Sequence, residues 1–267
     1  MKLVRAMAVV FLTLVGAAAL TCGTWEKTPY DAQFRESPDA APSRRFPLGT
    51  DALGRDRFAR LAYGTRLSLL LAPAAALLSC LAAALLGGIA GLAGGIVERA
   101  ILAAADLFLS LPWLFLLLIA RACLPLNVPA TLSVIITFAL LGLLGWAGPA
   151  RVVRAAVLDL RNSDFVLFAR ASGCTFWRLL WAHMTPNVMP VLRAQFRIAV
   201  PVYILTESTL GMLGLGVSEP LPSWGGLVRE LEGADVRSRL WLLAPALLLA
   251  AVTVSLQFLR PDKDLAT

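Results

Sequence analysis

Several residue types are scarce in this chain, and each scarcity removes a class of function. There is one histidine, His183, and it lies between apolar runs rather than inside one. No HExxH, no GxSxG and no His-Asp pair occurs within an apolar run, so a membrane protease lacks its catalytic groups. His183 itself reads as a surface or interface side chain. The three lysines are Lys2, Lys27 and Lys263, and none follows a glycine in the pattern GxxxxGK[ST]. The chain therefore has no P-loop with which to cradle ATP phosphates. The four cysteines, Cys22, Cys80, Cys123 and Cys174, stand far apart, which argues against a zinc site or a CxxC redox pair. No metal site is expected. Charged residues are also few, at 15%, where a soluble domain carries about 25%.

Apolar residues take the place of the missing charge. They form 58% of the chain, mean hydropathy is +0.76, and they are gathered in runs. A membrane-spanning helix needs about 20 such residues. Six runs qualify, at 4–21, 67–91, 101–120, 130–148, 190–214 and 240–259. The second and fifth are the longest, which predicts tilt or interfacial turns. The expected fold is an all-α integral membrane protein with six transmembrane helices. The first run is read as an uncleaved span. Its alternative is a signal peptide, with Lys2 and Arg5 before the apolar stretch and Ala17-Ala18-Ala19 before a cut.

Basic residues set the expected orientation. With the N-terminus inside, the inside segments hold twelve basic residues against six acids, and the outside segments twelve against ten. That bias predicts both termini in the cytoplasm. It also gives the net charge of +7 a topological reading rather than a nucleic-acid partner. The organisation expected is a first transmembrane helix at 1–22, an extracytoplasmic segment at 23–66 and a five-helix core at 67–267. Pro, Ser and charge make residues 23–66 a loop rather than a folded domain. A second outside segment, 217–239, has room for one short helix.

The longest polar interruption is 151–190, RVVRAAVLDLRNSDFVLFARASGCTFWRLLWAHMTPNVMP. It is far longer than a connection between two spans needs to be. Ser163 or Asn162 can cap a helix with Asp164 in its first turn. Phe165, Phe168 and Ala169 then share a face, and Gly173 permits the positive φ that ends a helix. Thr175 can cap a second helix carrying Trp177, Leu180 and Trp181, with Pro186 and Pro190 leading to the fifth run. Such a pair either lies on the bilayer or plugs into a cytosolic partner, and periodicity alone does not choose.

Resemblance does. Arg170-Ala171-Ser172-Gly173, Trp177-Arg178 and His183-Met184-Thr185-Pro186-Asn187 resemble the EAA loop of binding-protein-dependent ABC importer permeases. Leu48-Gly49-Thr50-Asp51-Ala52-Leu53-Gly54-Arg55-Asp56 and Tyr63-Gly64-Thr65-Arg66-Leu67-Ser68 resemble the dipeptide, oligopeptide and nickel branch of that family. So do Gly211-Met212-Leu213-Gly214-Leu215-Gly216-Val217 and Pro222-Ser223-Trp224-Gly225. These pieces run in family order from Leu48 to Gly225, and the chain looks most like the second-permease type.

The resemblance implies the type I ABC importer permease fold, with 151–190 as a two-helix cytoplasmic coupling loop. It implies a bacterial cytoplasmic (inner) membrane protein that is not an enzyme and binds no cofactor directly. ATP and Mg would sit in two cytosolic ATPase subunits. The other partners implied are a second homologous permease, an extracytoplasmic binding protein and the lipid bilayer; no nucleic acid is expected. Di- or oligopeptides are the expected cargo, with a metal chelate or another small ligand as the alternative. A degenerate or scaffolding subunit is the other reading.

The residues expected to meet the ATPase are Asp164, Leu167, Phe168, Ala169, Arg170, Ala171, Gly173, Trp177 and Arg178. Where the family has Glu-Ala-Ala, this chain has Leu167-Phe168-Ala169, which implies a more apolar dock. The ending RPDKDLAT is shorter than the family's GDGLRDxLDPR-like tail. Glu207, deep in the fifth run, is a pathway or gate candidate with Gly211 and Gly214, because an acidic side chain at that depth should face protein or water; the alternatives are a structural hydrogen bond for Glu207 and close helix packing for the glycines. Asp51, Arg55, Asp56 and Trp224 are candidate contacts for the binding protein. The structural alternative is that Asp51, Arg55 and Asp56 pair with one another. Asp106 is expected at a helix interface or at the headgroups, and Arg193 and Arg197 at the inner membrane surface or paired with the loop's acids.

Overall fold

The computed structural model describes residues 2–25, 28–123, 128–232 and 239–259; among these the chain is helical, with two isolated bridges and no strand. In chain order the helices are α1 (Lys2–Leu20), α2 (Cys22–Trp25), α3 (Arg57–Ala93), α4 (Gly95–Ser110), α5 (Trp113–Ala122), α6 (Ala130–Leu144) and α7 (Ala147–Arg161). Then come α8 (Asp164–Ala171), α9 (Phe176–Arg178), a π-helical turn (Leu179–Met184), α10 (Thr185–Met212), α11 (Trp224–Arg229), a 3₁₀ turn (Leu240–Leu243) and α12 (Ala244–Phe258). Among the described residues five helical stretches are long and apolar enough to cross a membrane: Lys2–Leu20, Arg57–Ala93, Ala130–Arg161, Leu179–Met212 and Leu240–Phe258.

A sixth crossing exists if α4 and α5 count as one. They are bent by 89°, so the run at 101–120 is not the single straight helix the sequence predicts. The cause is local. Pro112 cannot donate to the helical ladder and pushes the residue before it out of the helical region. Leu111 accordingly sits at φ −91°, ψ 136°.

Two other elements are longer than expected. α3 begins at Arg57, ten residues before the apolar run, because Asp56 caps it: the Phe58 amide donates to Asp56 Oδ1 at 2.9 Å. At 37 residues it is about 55 Å long by helical rise, well beyond a bilayer's hydrocarbon core. The interruption at 151–190 is largely helical too. Residues 151–161 continue the fourth run as α7, so only 162–184 form the protruding loop.

The described chain divides into two compact units. The first comprises Met1–Ala72, Arg121–Phe138 and Pro201–Thr267. Here α1 and α11 both pack on α12. Trp224 is fully buried and donates from Nε1 to Thr65 Oγ1 at 2.9 Å, which ties α11 to α3.

The second unit comprises Pro73–Ala120 and Ala139–Val200. Its part of α3 turns small residues inward (Ala75, Ala76, Ala83, Ala90) and leaves Leu77, Leu81 and Leu85 exposed, an arrangement suited to a hydrocarbon solvent. Gly87 and Gly91, one turn apart, let α3 meet α7 backbone to backbone: a Cβ on Gly87 would fall 2.4 Å from Ala150 O. α4 packs on α7 through ion pairs, Glu98 with Arg154 and Asp106 with Arg151. Arg161 Nη1 donates to Leu92 O at 3.0 Å. Asp106 thus serves a helix interface, as the sequence predicts. Arg193 and Arg197 are exposed and pair with no acid among the described residues.

Candidate functional site

The protruding loop of the second unit has an inside and an outside. Its inside is a core of Val153 and Val157 from α7, Val166 from α8, Leu179 and Met184 from the π turn, and Val188 from α10, with Ala169 and Leu180 packed against it. Val166 is the plug, fully buried in the middle of α8. The face expected from Phe165 and Phe168 is therefore turned the other way. Phe165 is 44% exposed, Leu167 50%, Phe168 76%, and Trp177 and Trp181 66% each.

The turn between α8 and α9 is a Schellman close. The Gly173 amide donates to Arg170 O and the Cys174 amide to Ala169 O, each at 3.0 Å, with Gly173 at φ +76°. Ser163 stands at the cap of α8, but its hydroxyl donates to Leu160 O at 2.6 Å rather than accepting from the helix, which its backbone carbonyl does instead. Asp164, Leu167, Phe168, Arg170, Ala171, Gly173, Trp177 and Arg178 are all exposed, and Ala169 is half-buried. The exposed side chains described on the loop are thus largely apolar or basic, over a buried apolar base.

The first unit holds the other motifs, and they converge on a charged cleft of about 720 Å³. Gly49 (φ +71°) and Gly54 (φ +76°) make the turns of the Leu48–Asp56 motif, where a Cβ would strike the carbonyls of Ala40 and Phe34 at 2.2 Å. Between them Asp51 Oδ1 accepts the Leu53 and Arg55 amides, and Arg55 Nε donates to Asp51 Oδ2 at 2.6 Å. Arg55 Nη1 reaches Glu219 Oε2 at 2.6 Å, and the buried Arg60 reaches Glu219 Oε1 at 3.0 Å. Arg57 pairs with Glu230. Burial pushes the Glu230 carboxyl above its usual range, and Arg57 and Arg60 oppose that rise.

Asp51 and Arg55 pair as predicted, but Asp56 does not join them. It accepts from Thr28 Oγ1 at 2.8 Å and caps α3. Asp51, Arg55, Asp56 and Trp224 are all buried; Asp51 and Arg55 line the cleft, and Asp56 and Trp224 fix the elements around it.

The cleft's floor is made of glycine. Gly211 lies so close to α11 that a Cβ would be 2.8 Å from Gly225 Cα, and one on Gly225 would be 2.2 Å from Ser208 O. Gly214 (φ +77°) closes α10 as a second Schellman turn, with Arg229 laid over it. Glu207 is 0% exposed, and neither of its oxygens has a hydrogen-bond partner among the described residues. The Ser223 hydroxyl is its one polar neighbour, and that Oγ also accepts the Gly226 amide at 3.2 Å. Arg121 is the site residue that the sequence reading passed over. It is 2% exposed, donates to Leu215 O at 3.2 Å and Ser133 Oγ at 2.8 Å, and meets no acid among the described residues. An arginine at the end of an apolar run was the available signal. The C-terminal ending lies outside the described residues.

The described residues hold no cluster of three side chains able to ligate a metal. Residues 83–260 match the family described as binding-protein-dependent transport system inner membrane component. The chain is 33% identical over 221 residues to the oligopeptide transport system permease protein OppC of Bacillus subtilis, covering 83% of this chain and 70% of that one. It is 35% identical over 237 residues to the nickel transport system permease protein NikC of Escherichia coli K12, covering 88% and 81%. It is 34% identical over 189 residues to the dipeptide transport system permease protein DppC of Bacillus subtilis, covering 71% and 57%.

Proposed function

Since the chain belongs to the family of binding-protein-dependent inner membrane transport permeases, and so works with ATPase and binding-protein partners, we propose that it forms half of a translocation path and converts ATPase motion into movement of its spans. The observation that supports this most is the loop at 162–184. A core of six buried apolar residues holds it rigid, while Phe165, Leu167, Phe168, Trp177 and Trp181 stay uncovered beside Arg170 and Arg178. Apolar and aromatic side chains on a rigid base are what a docking groove reads. The second path half is a homologous permease, and two cytosolic ATPases carry ATP and Mg. The loop and both termini are cytoplasmic, and the charged cleft faces the binding protein with its rim. Rigid-body movement of packed helices then alternates access.

The cargo in this reading is a di- or oligopeptide. The oligopeptide and dipeptide transport functions of the OppC and DppC relatives support it, and the nickel transport function of NikC keeps a metal chelate as the second reading. Ala171 is exposed at the end of α8. Ala171→Arg should leave membrane insertion intact and cut cargo-driven ATP hydrolysis about tenfold or more, since one bulky charge at an interface core commonly costs more than 1.4 kcal/mol. Hydrolysis stimulated normally by loaded binding protein in the variant would sink the docking role. A scaffold subunit would show no such stimulation even in the parent complex.

A further inference from the structure

We propose that Glu207 is the acceptor of a binding site for an organic ammonium group, closed in this conformation beneath the glycine floor of the cleft. The proposal rests on the transport reading above and adds the chemical class that the path receives there.

The starting point is a cost without a visible return. A carboxyl that is fully buried, with neither oxygen in a well-aligned hydrogen bond, no cation beside it and only the Ser223 hydroxyl adjacent, forfeits its hydration for little return, and such groups are rare unless another state uses them. Leu or Met would fill the same volume without that penalty. No cation of the described chain covers it. The buried Arg121 of the same unit bonds Leu215 and Ser133 instead.

Position gives the second observation. Gly211 lies one turn beyond Glu207 on the same face of α10, and it lines the cleft together with Gly226 of α11. That turn is about 6 Å of helical rise. What lies between is the crossing of Gly211 and Gly225, with Ser223 beside the carboxyl. The crossing has no side chains to disentangle, so a small slide of α10 against α11 joins the carboxyl to the cleft.

The chemistry selects the ligand. Three ligating side chains do not converge anywhere among the described residues, so Glu207 is a lone carboxylate, suited to an ammonium rather than to a coordinated metal ion. In the cleft above, Arg229 and Arg239 have no acidic partner among the described residues, which leaves a place for the anionic end of a zwitterion whose ammonium end goes down to Glu207.

The test uses the intact importer complex in a cysteine-free background, with a single thiol introduced beside the carboxyl as Ser223→Cys or, independently, Ser208→Cys. Two methanethiosulfonate probes are compared, one bearing trimethylammonium and one bearing sulfonate, each normalised to its rate with a free thiol. Neither should react in the resting complex. After trapping with ATP, Mg and vanadate, both should react, the cationic probe faster by about tenfold or more, as expected near a fixed charge in a restricted cleft. Adding Glu207→Gln should bring that ratio close to one. Equal rates in the trapped complex, or a ratio that survives Glu207→Gln, would overturn the ammonium site and leave the path reading standing. Silence of both thiols in every state would overturn both.

Discussion

Replacing Phe168 by Asp should strip the ATPase subunits from this permease while leaving the permease itself folded. Phe168 is 76% exposed and contributes nothing to the loop's core, so its removal costs the isolated chain little. At an interface a large aromatic is commonly worth about 2 kcal/mol or more, and a buried, unpaired carboxylate adds a penalty of its own. Affinity for the ATPases should therefore fall by about thirtyfold or more, read as loss of co-purification with an unchanged melting temperature. Val166→Ala is the opposite case. It empties a fully buried position among Val153, Val157, Leu179, Met184 and Val188 and should lower thermal stability by about 1–3 kcal/mol while leaving the outer face chemically intact. If Phe168→Asp retains its ATPases, or loses stability as Val166→Ala does, the outward face is not the dock.

The second large effect is expected at the cleft floor. A Cβ on Gly225 would lie 2.2 Å from Ser208 O and 2.8 Å from Gly211 Cα. Those are backbone atoms, so no rotamer change relieves the clash, and α11 must move away from α10. Gly225→Ala should destabilise the first unit by about 1–3 kcal/mol, the usual cost of overpacking, and should abolish coupled uptake. Gly148→Ala is the control, because a Cβ there meets nothing within 4 Å. Equal melting temperatures for the two variants would show that the glycine crossing is looser than its geometry.

What the sequence made legible follows from how local each signal is. The apolar runs, the turn at Gly173, the cap-rich start at Ser163 and the i,i+4 pair of Asp51 and Arg55 all lie within a few residues. They were readable, as was the resemblance carried by motifs in order from Leu48 to Gly225. The break at Leu111-Pro112 was equally local, but hydropathy masked it, since both residues fit an apolar run. The facing of α8 was not readable. Phe165, Val166, Leu167 and Phe168 are apolar all round the helix, so periodicity cannot say which is inside. Val153, Leu179, Met184 and Val188 decide it in favour of Val166, and they come from three other elements. The charged network divides in the same way. Asp51 finds Arg55 four residues away, whereas Glu219 meets Arg55 and Arg60 across more than 150 residues. No local pattern announces such a pairing. Glu207 was noticed for its depth, but its lack of partners emerges only once its neighbours are placed.

The central claim is that the outward face of the loop meets an ATPase rather than the bilayer. A photoreactive benzoylphenylalanine installed at Phe168 in the intact importer tests it directly, with the same residue at Leu77, exposed on α3, as the lipid-facing comparison. The probe at 168 should cross-link to an ATPase subunit and the probe at 77 should not. Cross-linking of the 168 probe to lipid alone, as at 77, would contradict it.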